Sequence, residues 1–221
     1  MISVELSFPL TGDSVPIDSG YWLSAGLKNC LEGLGKNENV AQFLTDRTIG
    51  LHLLVRKTPF GDADLSRDSA LRIRLAPSLI PILLPLAGRR LRVGPKTLQL
   101  GAPSIHGLTP ATDLFARIAT IKGFDSPDEF LAAAVRQLQD NGLADGVVIR
   151  LAQHRTGQHS GEPIRRVLRI RDKTIVGFAV EAQCATADDS LRLQSVGLGG
   201  RRHFGAGVFI PKLHTAEGTR A

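Results

Sequence analysis

The apolar residues of this chain change period twice over in the same order, and that repetition limits the possible folds more than any other feature. Ile2, Val4, Leu6 and Phe8 alternate with polar neighbours, the period-two pattern of a strand. From Tyr21 to about Gly35, Leu23, Leu27, Cys30, Leu31 and Leu34 fall on one helical face. Residues 49–57 read as a strand, with Ile49, Leu51, Leu53 and Val55 on one side and Gly50, His52, Leu54 and Arg56 on the other. Leu71-Arg-Ile-Arg-Leu75 alternates strictly, residues 77–87 make a proline-broken helix, and residues 91–93 with 97–100 supply a further extended piece. Gly101, Pro103, Gly107 and Pro110 mark residues 101–110 as a linker.

The order then begins again. Residues 114–121 form a strand. Ser126 stands as the N-cap of a helix with Pro127 at its first position, Asp128 and Glu129 in its first turn, and Asn141-Gly142 at its end. Residues 147–151 form a strand, and residues 167–171 and 174–182 form a hairpin around Asp172-Lys173. A short helix over 188–196 and a last strand over 208–210 complete the round. Each half reads strand–helix–strand–strand–helix–strand. This predicts an α+β fold of two tandem ferredoxin-like (RRM-like) βαββαβ domains, residues 1–105 and 106–221. Helices on one face of each antiparallel sheet leave the other face open, the face that RNA-recognition modules use.

Between the last helix and the last strand runs Gly197-Leu-Gly-Gly-Arg-Arg-His-Phe-Gly-Ala-Gly207. Glycines permit φ > 0 and close backbone approach, and Arg201 and Arg202 add two guanidiniums suited to phosphate. The loop is therefore expected to hold a polyanion through its backbone and arginines. It is not a phosphate loop of the Gly-Lys-Ser/Thr type, nor a dinucleotide fingerprint, which opens a helix early in a βαβ unit. The alternative is a glycine-rich turn with incidental arginines.

Charge supports the polyanion. Residues 150–221 carry twelve Lys and Arg against six Asp and Glu, so the whole formal +6 of the chain lies there, while residues 1–149 are neutral. One small phosphate ligand does not require so extended a basic region. Arg150, Arg155, Arg165, Arg166, Arg169 and Arg171 fall within it, and alternation puts Arg165, Val167, Arg169 and Arg171 on one strand face. Aromatic residues make up only 5%, which favours a stem-loop clamp over a surface that stacks single strands along its length. No apolar run reaches the roughly 18–20 residues of a membrane span. Met1-Ile-Ser-Val-Glu-Leu6 has no secretory character, and Cys30 and Cys184 form no disulfide or zinc pattern. A soluble, cytoplasmic protein without cofactor is expected.

The tandem halves, the glycine loop ending in Gly207-Val-Phe209, the opening Phe8-Pro-Leu10 with Pro16-Ile-Asp-Ser-Gly-Tyr-Trp-Leu23, and Ile49-Gly-Leu-His-Leu53 resemble the CRISPR-associated repeat-RNA endoribonucleases of the glycine-rich-loop RAMP superfamily. The resemblance implies cleavage of CRISPR precursor transcripts within each repeat, without metal. A ribose 2′-OH attacks the adjacent phosphate and leaves 2′,3′-cyclic phosphate and 5′-OH ends. It implies repeat RNA as the partner, with other effector-complex subunits as further candidates. A non-catalytic subunit that retains the RNA hairpin is the alternative. Such chemistry needs a base, an acid and cations for the phosphorane charge.

In that family the catalytic groups lie around the first helix and second strand, and their identity varies. His52, on the non-core face of its strand, is the first candidate for base or acid. Tyr21 and Lys28, seven residues apart, share one face of the first helix; Tyr21 would position the nucleotide and Lys28 would stabilise charge. His203, within the glycine loop, is a candidate for RNA contact or for the scissile phosphate. Gly197, Gly199, Gly200, Arg201, Arg202, Gly205 and Gly207, with Arg155, Arg165, Arg166, Arg169 and Arg171, are the expected RNA-binding residues. His154 and His159 lack a third ligand at fixed spacing, so no metal is expected.

Overall fold

The computed structural model describes residues 3–212 apart from 13, 17–18, 36–37, 55, 58–61 and 66. In the first half the order is β1 (Val4–Thr11), β2 (Ser14–Pro16), α1 (Gly20–Glu32), α2 (Glu38–Thr45), β3 (Gly50–Leu54), β4 (Arg56–Lys57), β5 (Asp62–Asp64), β6 (Ala70–Leu75), α3 (Ile80–Leu83) between two 3₁₀ turns, β7 (Arg90–Val93), β8 (Lys96–Leu100) and β9 (Ser104–Gly107). The sheet runs β3-β6-β1-β8-β7, and β9 pairs with β1 on the same edge as β8. Reduced to the four strands of a split βαβ unit, this is the order second-third-first-fourth.

The second half repeats it. It comprises β10 (Asp113–Ala119), α4 (Pro127–Asp140), β11 (Val147–Leu151), β12 (Arg165–Ile170), β13 (Lys173–Cys184), α5 (Ala187–Val196) and β14 (Ile210–Pro211). The sheet order is β11-β13-β10-β14. β13 is long enough to pair with β11 along its second part and with β12 along its first, so the β12–β13 hairpin projects beyond the main sheet.

Alternation gives each half a main apolar core, and a smaller cluster of Ile118, Leu168 and Ala206, with Phe204 packed against it, adds to the second half. In the first, Leu23, Leu27 and Leu31 of α1 pack on Leu6, Phe8, Leu51, Leu71 and Ile73. In the second, Phe130, Ala134 and Leu138 of α4 and Leu193 of α5 pack on Leu114, Ala116, Ile149, Val180 and Ala182. Val135 is exposed, outside the α4 stripe.

Four expectations change. The stretch 101–110 is not a bare linker: β9 lies within it, spans position 105/106 and pairs with β1 from Val4↔Gly107 to Ser7↔Ser104. Residues 49–57 are not one strand, because β4 leaves the main sheet to pair with β5; Val55 lies outside the described residues. Helix α2 and the small β2-β5-β4 sheet were not anticipated. The last strand is shorter and later than 208–210, since Val208 and Phe209 are buried before pairing begins at Ile210. Among the described residues, no helix is long and apolar enough to cross a membrane.

Candidate functional site

Strand alternation that buries Ile49 and Leu51 turns Gly50 and His52 to the other face of the first sheet. Register then aligns Gly50 with Arg74 and His52 with Arg72, and Arg74 with Glu5 on the next strand. Oppositely charged side chains thus meet across three strands. The Glu5 carboxylate accepts from Arg72 Nη1 at 3.0 Å, from Arg74 Nη2 at 3.0 Å and lies 3.2 Å from His52 Nε2. Burial alone pushes the Glu5 carboxyl up, but the hydrogen bond and charge of His52, with those of Arg74, more than reverse it and hold it at about 2. The imidazole of His52 is 15% exposed, at the edge of this cluster.

This face of the first sheet is not open as expected. Arg74, 1% exposed, reaches through it and donates from Nη1 to the Gln194 and Phe209 carbonyls of the second half, at 3.0 and 2.6 Å. Ser3 donates its amide to Ser195 Oγ at 3.1 Å.

The glycine-rich loop completes the joint. The amides of its five glycines are turned inward. Gly197 donates to Leu193, Leu198 to Gly207, Gly200 to Thr120 and Gly207 to Ile118, while Gly199 donates to the Gln137 side chain at 2.8 Å. These donors are satisfied by the protein. Arg202 does not present its guanidinium to a phosphate: it is 3% exposed and donates to the carbonyls of Thr48 at 3.0 Å, Ser195 at 3.0 Å and Gly207 at 3.4 Å. Burial, with the charge of Arg74 beside it, lowers its pKa to about 10. Glycine is required where the loop docks. A Cβ on Gly20 would lie 2.1 Å from the Phe204 carbonyl oxygen, and one on Gly50 would lie 2.9 Å from Val208 Cγ2. His203 is half-buried, with Nε2 on the Asp46 carbonyl and its ring edge-on to Phe43.

The loop's 3₁₀ turn, Arg202–Phe204, therefore sits between the start of α1 and β3. Around it the structure gathers part of the expected set. The Tyr21 ring lies 6.2 Å from Phe204, and its hydroxyl accepts from Arg171 Nε at 3.3 Å. Arg171, at φ 54 in the tip of the β12–β13 hairpin, is fully exposed otherwise. Lys28 stands apart, two turns along α1, exposed and 3.7 Å from Glu32. Arg165 and Arg169 lie on the exposed face of β12 with Val167, as alternation predicted. Arg166 points to the opposite, packed face, half-buried with its Nε unpaired, away from Arg165 and Arg169. Arg155 is exposed in the loop before β12, Arg201 is half-exposed, and Gly200 is exposed. Arg150 is bound to Glu181 at 2.7 Å. Among the described residues no group of three or more His, Cys, Asp or Glu is gathered to hold a metal ion.

The sequence reading missed Glu5, Arg72 and Arg74, although their signal was present. Charges that alternate with Leu and Ile on a strand, opposite in sign on its neighbour, mark a polar sheet face.

Two ferredoxin-like sheets joined through a C-terminal-half glycine loop are the architecture of RAMP proteins. The chain belongs to the Cas6 family: the model described as Cas6 Crispr matches residues 4–214. It is 36% identical to the CRISPR-associated endonuclease Cas6 of Myxococcus xanthus (strain DK1622) over 98% of this chain and 85% of that protein. A solved structure described as a RAMP protein binding different RNA substrates superposes with TM-score 0.63 at 12% identity, covering 96% of this chain and 100% of that one. A solved CRISPR-associated protein Cas6 gives TM-score 0.62 at 13% identity, over 96% and 99% of the two chains. These two likenesses are of fold.

Stability should respond to this geometry in two ways. Arg202→Ala removes a donor from the Thr48, Ser195 and Gly207 carbonyls, of which Gly207 keeps the Leu198 amide, and is expected to lower stability by about 2 kcal/mol, read as a lower Tm. Arg201→Ala should change Tm little. For Glu5, a folded-state pKa below the ordinary 4.5 means its contribution is present above about pH 4.5 and lost as pH falls toward 2. Urea titrations across that range should show the loss in the native protein. Glu5→Gln should be less stable at pH 7 by about 3 kcal/mol and should vary less with pH below 4.5.

Proposed function

We propose that this protein is an endoribonuclease that cuts CRISPR precursor transcripts within their repeats and so produces guide RNAs. The observation that carries this reading is its 36% identity, over 98% of the chain, with a protein named as a CRISPR-associated endonuclease. The chemistry proposed is attack by a ribose 2′-OH on the adjacent phosphate, leaving a 2′,3′-cyclic phosphate and a 5′-OH end, with no metal taking part.

His52 is the general base. Glu5 accepts the Nε2 proton, fixing the tautomer that leaves the Nδ1 lone pair for the 2′-OH proton. Tyr21 positions the scissile nucleotide: its oxygen accepts from Arg171, and its own proton remains for a bond to RNA. Arg171 places positive charge where the phosphorane develops. Lys28 contacts a phosphate farther along the strand. Arg155, Arg165 and Arg169 follow the backbone of a repeat stem-loop, where shape and phosphates are read. His203 and Arg202 act indirectly, by holding the loop between α1 and β3. The first half, residues 1–105, carries the base and positions the nucleotide, and the second, residues 106–221, holds the RNA and lends Arg171 to the scissile phosphate.

Labelled repeat RNA, incubated with the protein in EDTA, should be cut at one position, and a single 2′-deoxy substitution at that position should abolish the cut. His52→Ala should lower kcat about a hundredfold or more without loss of RNA affinity, with Tm measured alongside because His52 touches Glu5. Tight binding with no cleavage of either RNA would identify a non-catalytic subunit that retains the hairpin. Arg165→Ala with Arg169→Ala should weaken binding and reduce the slope of log affinity against log salt by roughly one for each phosphate no longer neutralised.

A further inference from the structure

Beside Tyr21 lies a groove that the cleavage chemistry does not use. It occupies about 450 Å³ between α1 and the β7–β8 hairpin, and Trp22, Asn29, Arg92 and Gly94 line it. That volume is in the range of sites that take small organic groups. Trp22 is 46% exposed, unusual for the largest apolar side chain of a well-packed domain. Its ring meets Tyr21 edge-on at 5.2 Å. The hairpin turn braces it: a Cβ on Gly94 would lie 3.4 Å from Trp22 Cγ, and the Arg92 guanidinium folds back onto the Gly94 carbonyl at 3.4 Å.

The chemistry around this ring selects its occupant. From Leu86 to Leu100 the chain has Arg89, Arg90, Arg92 and Lys96 and no acidic residue. Arg90 and Arg92 share the exposed face of β7. An exposed indole, an amide at Asn29 and a cluster of cations are what a nucleobase and its phosphate require: a π-face to stack on, donors and acceptors for a base edge, and charge for the backbone. An apolar protein segment would find cations at the rim with nothing to neutralise them. Continuity points the same way, because Arg171, Tyr21 and Trp22 form one chain of contacts from the β12–β13 tip to the groove.

We propose that this groove binds one unpaired nucleotide of the RNA, flanking the stem, with its base stacked on Trp22 and its phosphate on Arg92. The proposal rests on the reading of the protein as a repeat-RNA endoribonuclease and adds a single-strand subsite to it. The subsite lets the protein separate a hairpin embedded in a longer transcript from a bare hairpin of the same stem.

Trp22 is the only tryptophan in the sequence, so its fluorescence reports this groove alone. The full-length protein is titrated in EDTA with three RNAs blocked by 2′-deoxy at the cut: the repeat stem-loop alone, and the same stem-loop with four unpaired nucleotides on its 5′ or its 3′ side. One flanked RNA should quench Trp22 and bind roughly tenfold more tightly than the bare stem-loop. Trp22→Ala and Arg92→Ala should each remove that advantage while leaving affinity for the bare stem-loop unchanged, and Trp22→Phe should restore part of it. Equal affinity for all three RNAs with no quenching would overturn the subsite and leave the endoribonuclease reading intact. Absence of binding to every RNA would overturn both.

Discussion

Two buried arginines hold the molecule together. Arg74 and Arg202 lie side by side between the halves, and their guanidiniums bridge carbonyls of Thr48, Gln194, Ser195, Gly207 and Phe209. Among the described residues, only one carboxylate, that of Glu5, lies among the groups they bond. Each half has its own apolar core, and neither core crosses the joint. The relative position of the sheets is therefore set by directional polar contacts together with the Tyr21–Phe204 and Phe43–His203 ring contacts, and the former tolerate little displacement because an unpaired buried charge is costly. The candidate residues His52, on the first sheet, and Arg171, on the second, depend on that joint for their placing.

The glycine loop reads differently once its partners are known. Glycine is needed there because backbone must lie against backbone, and the amides of Gly197, Gly199, Gly200, Gly205 and Gly207 are satisfied within the protein. Exposed arginines lie instead on the β12 face and at the hairpin tip. This separates two tasks that one segment was expected to combine. The loop sets the geometry, and a projecting hairpin supplies the charge.

What the sequence made legible follows from local periodicity. The alternation of Leu71-Arg-Ile-Arg-Leu75 and the spacing of Leu23, Leu27 and Leu31 each show the buried face directly, so both sheets and the main helices were recoverable. Alternation likewise placed His52 off the core and Arg165 and Arg169 on one face. The destination of Arg202 was not recoverable. A cation among glycines looks solvated, and its acceptor at Thr48 lies 154 residues away. Helix α2 was missed because Val40, Phe43 and Leu44 give only one short apolar stripe. β9 was missed because Gly101, Pro103, Gly107 and Pro110 frame it as a linker, while its four exposed residues carry no alternation.

The sequence distance across the joint also bears on timing. Thr48 meets Arg202, and Arg74 meets Phe209 across 135 residues, so neither contact exists on a nascent chain until nearly all of the described residues have been synthesised. A first sheet formed before that point carries Glu5, Arg72 and Arg74 facing water, where their charges bear no burial cost. A chain assembled in this order brings His52 of the first sheet and Arg171 of the second into their final relative positions only when the glycine loop closes onto the first strands.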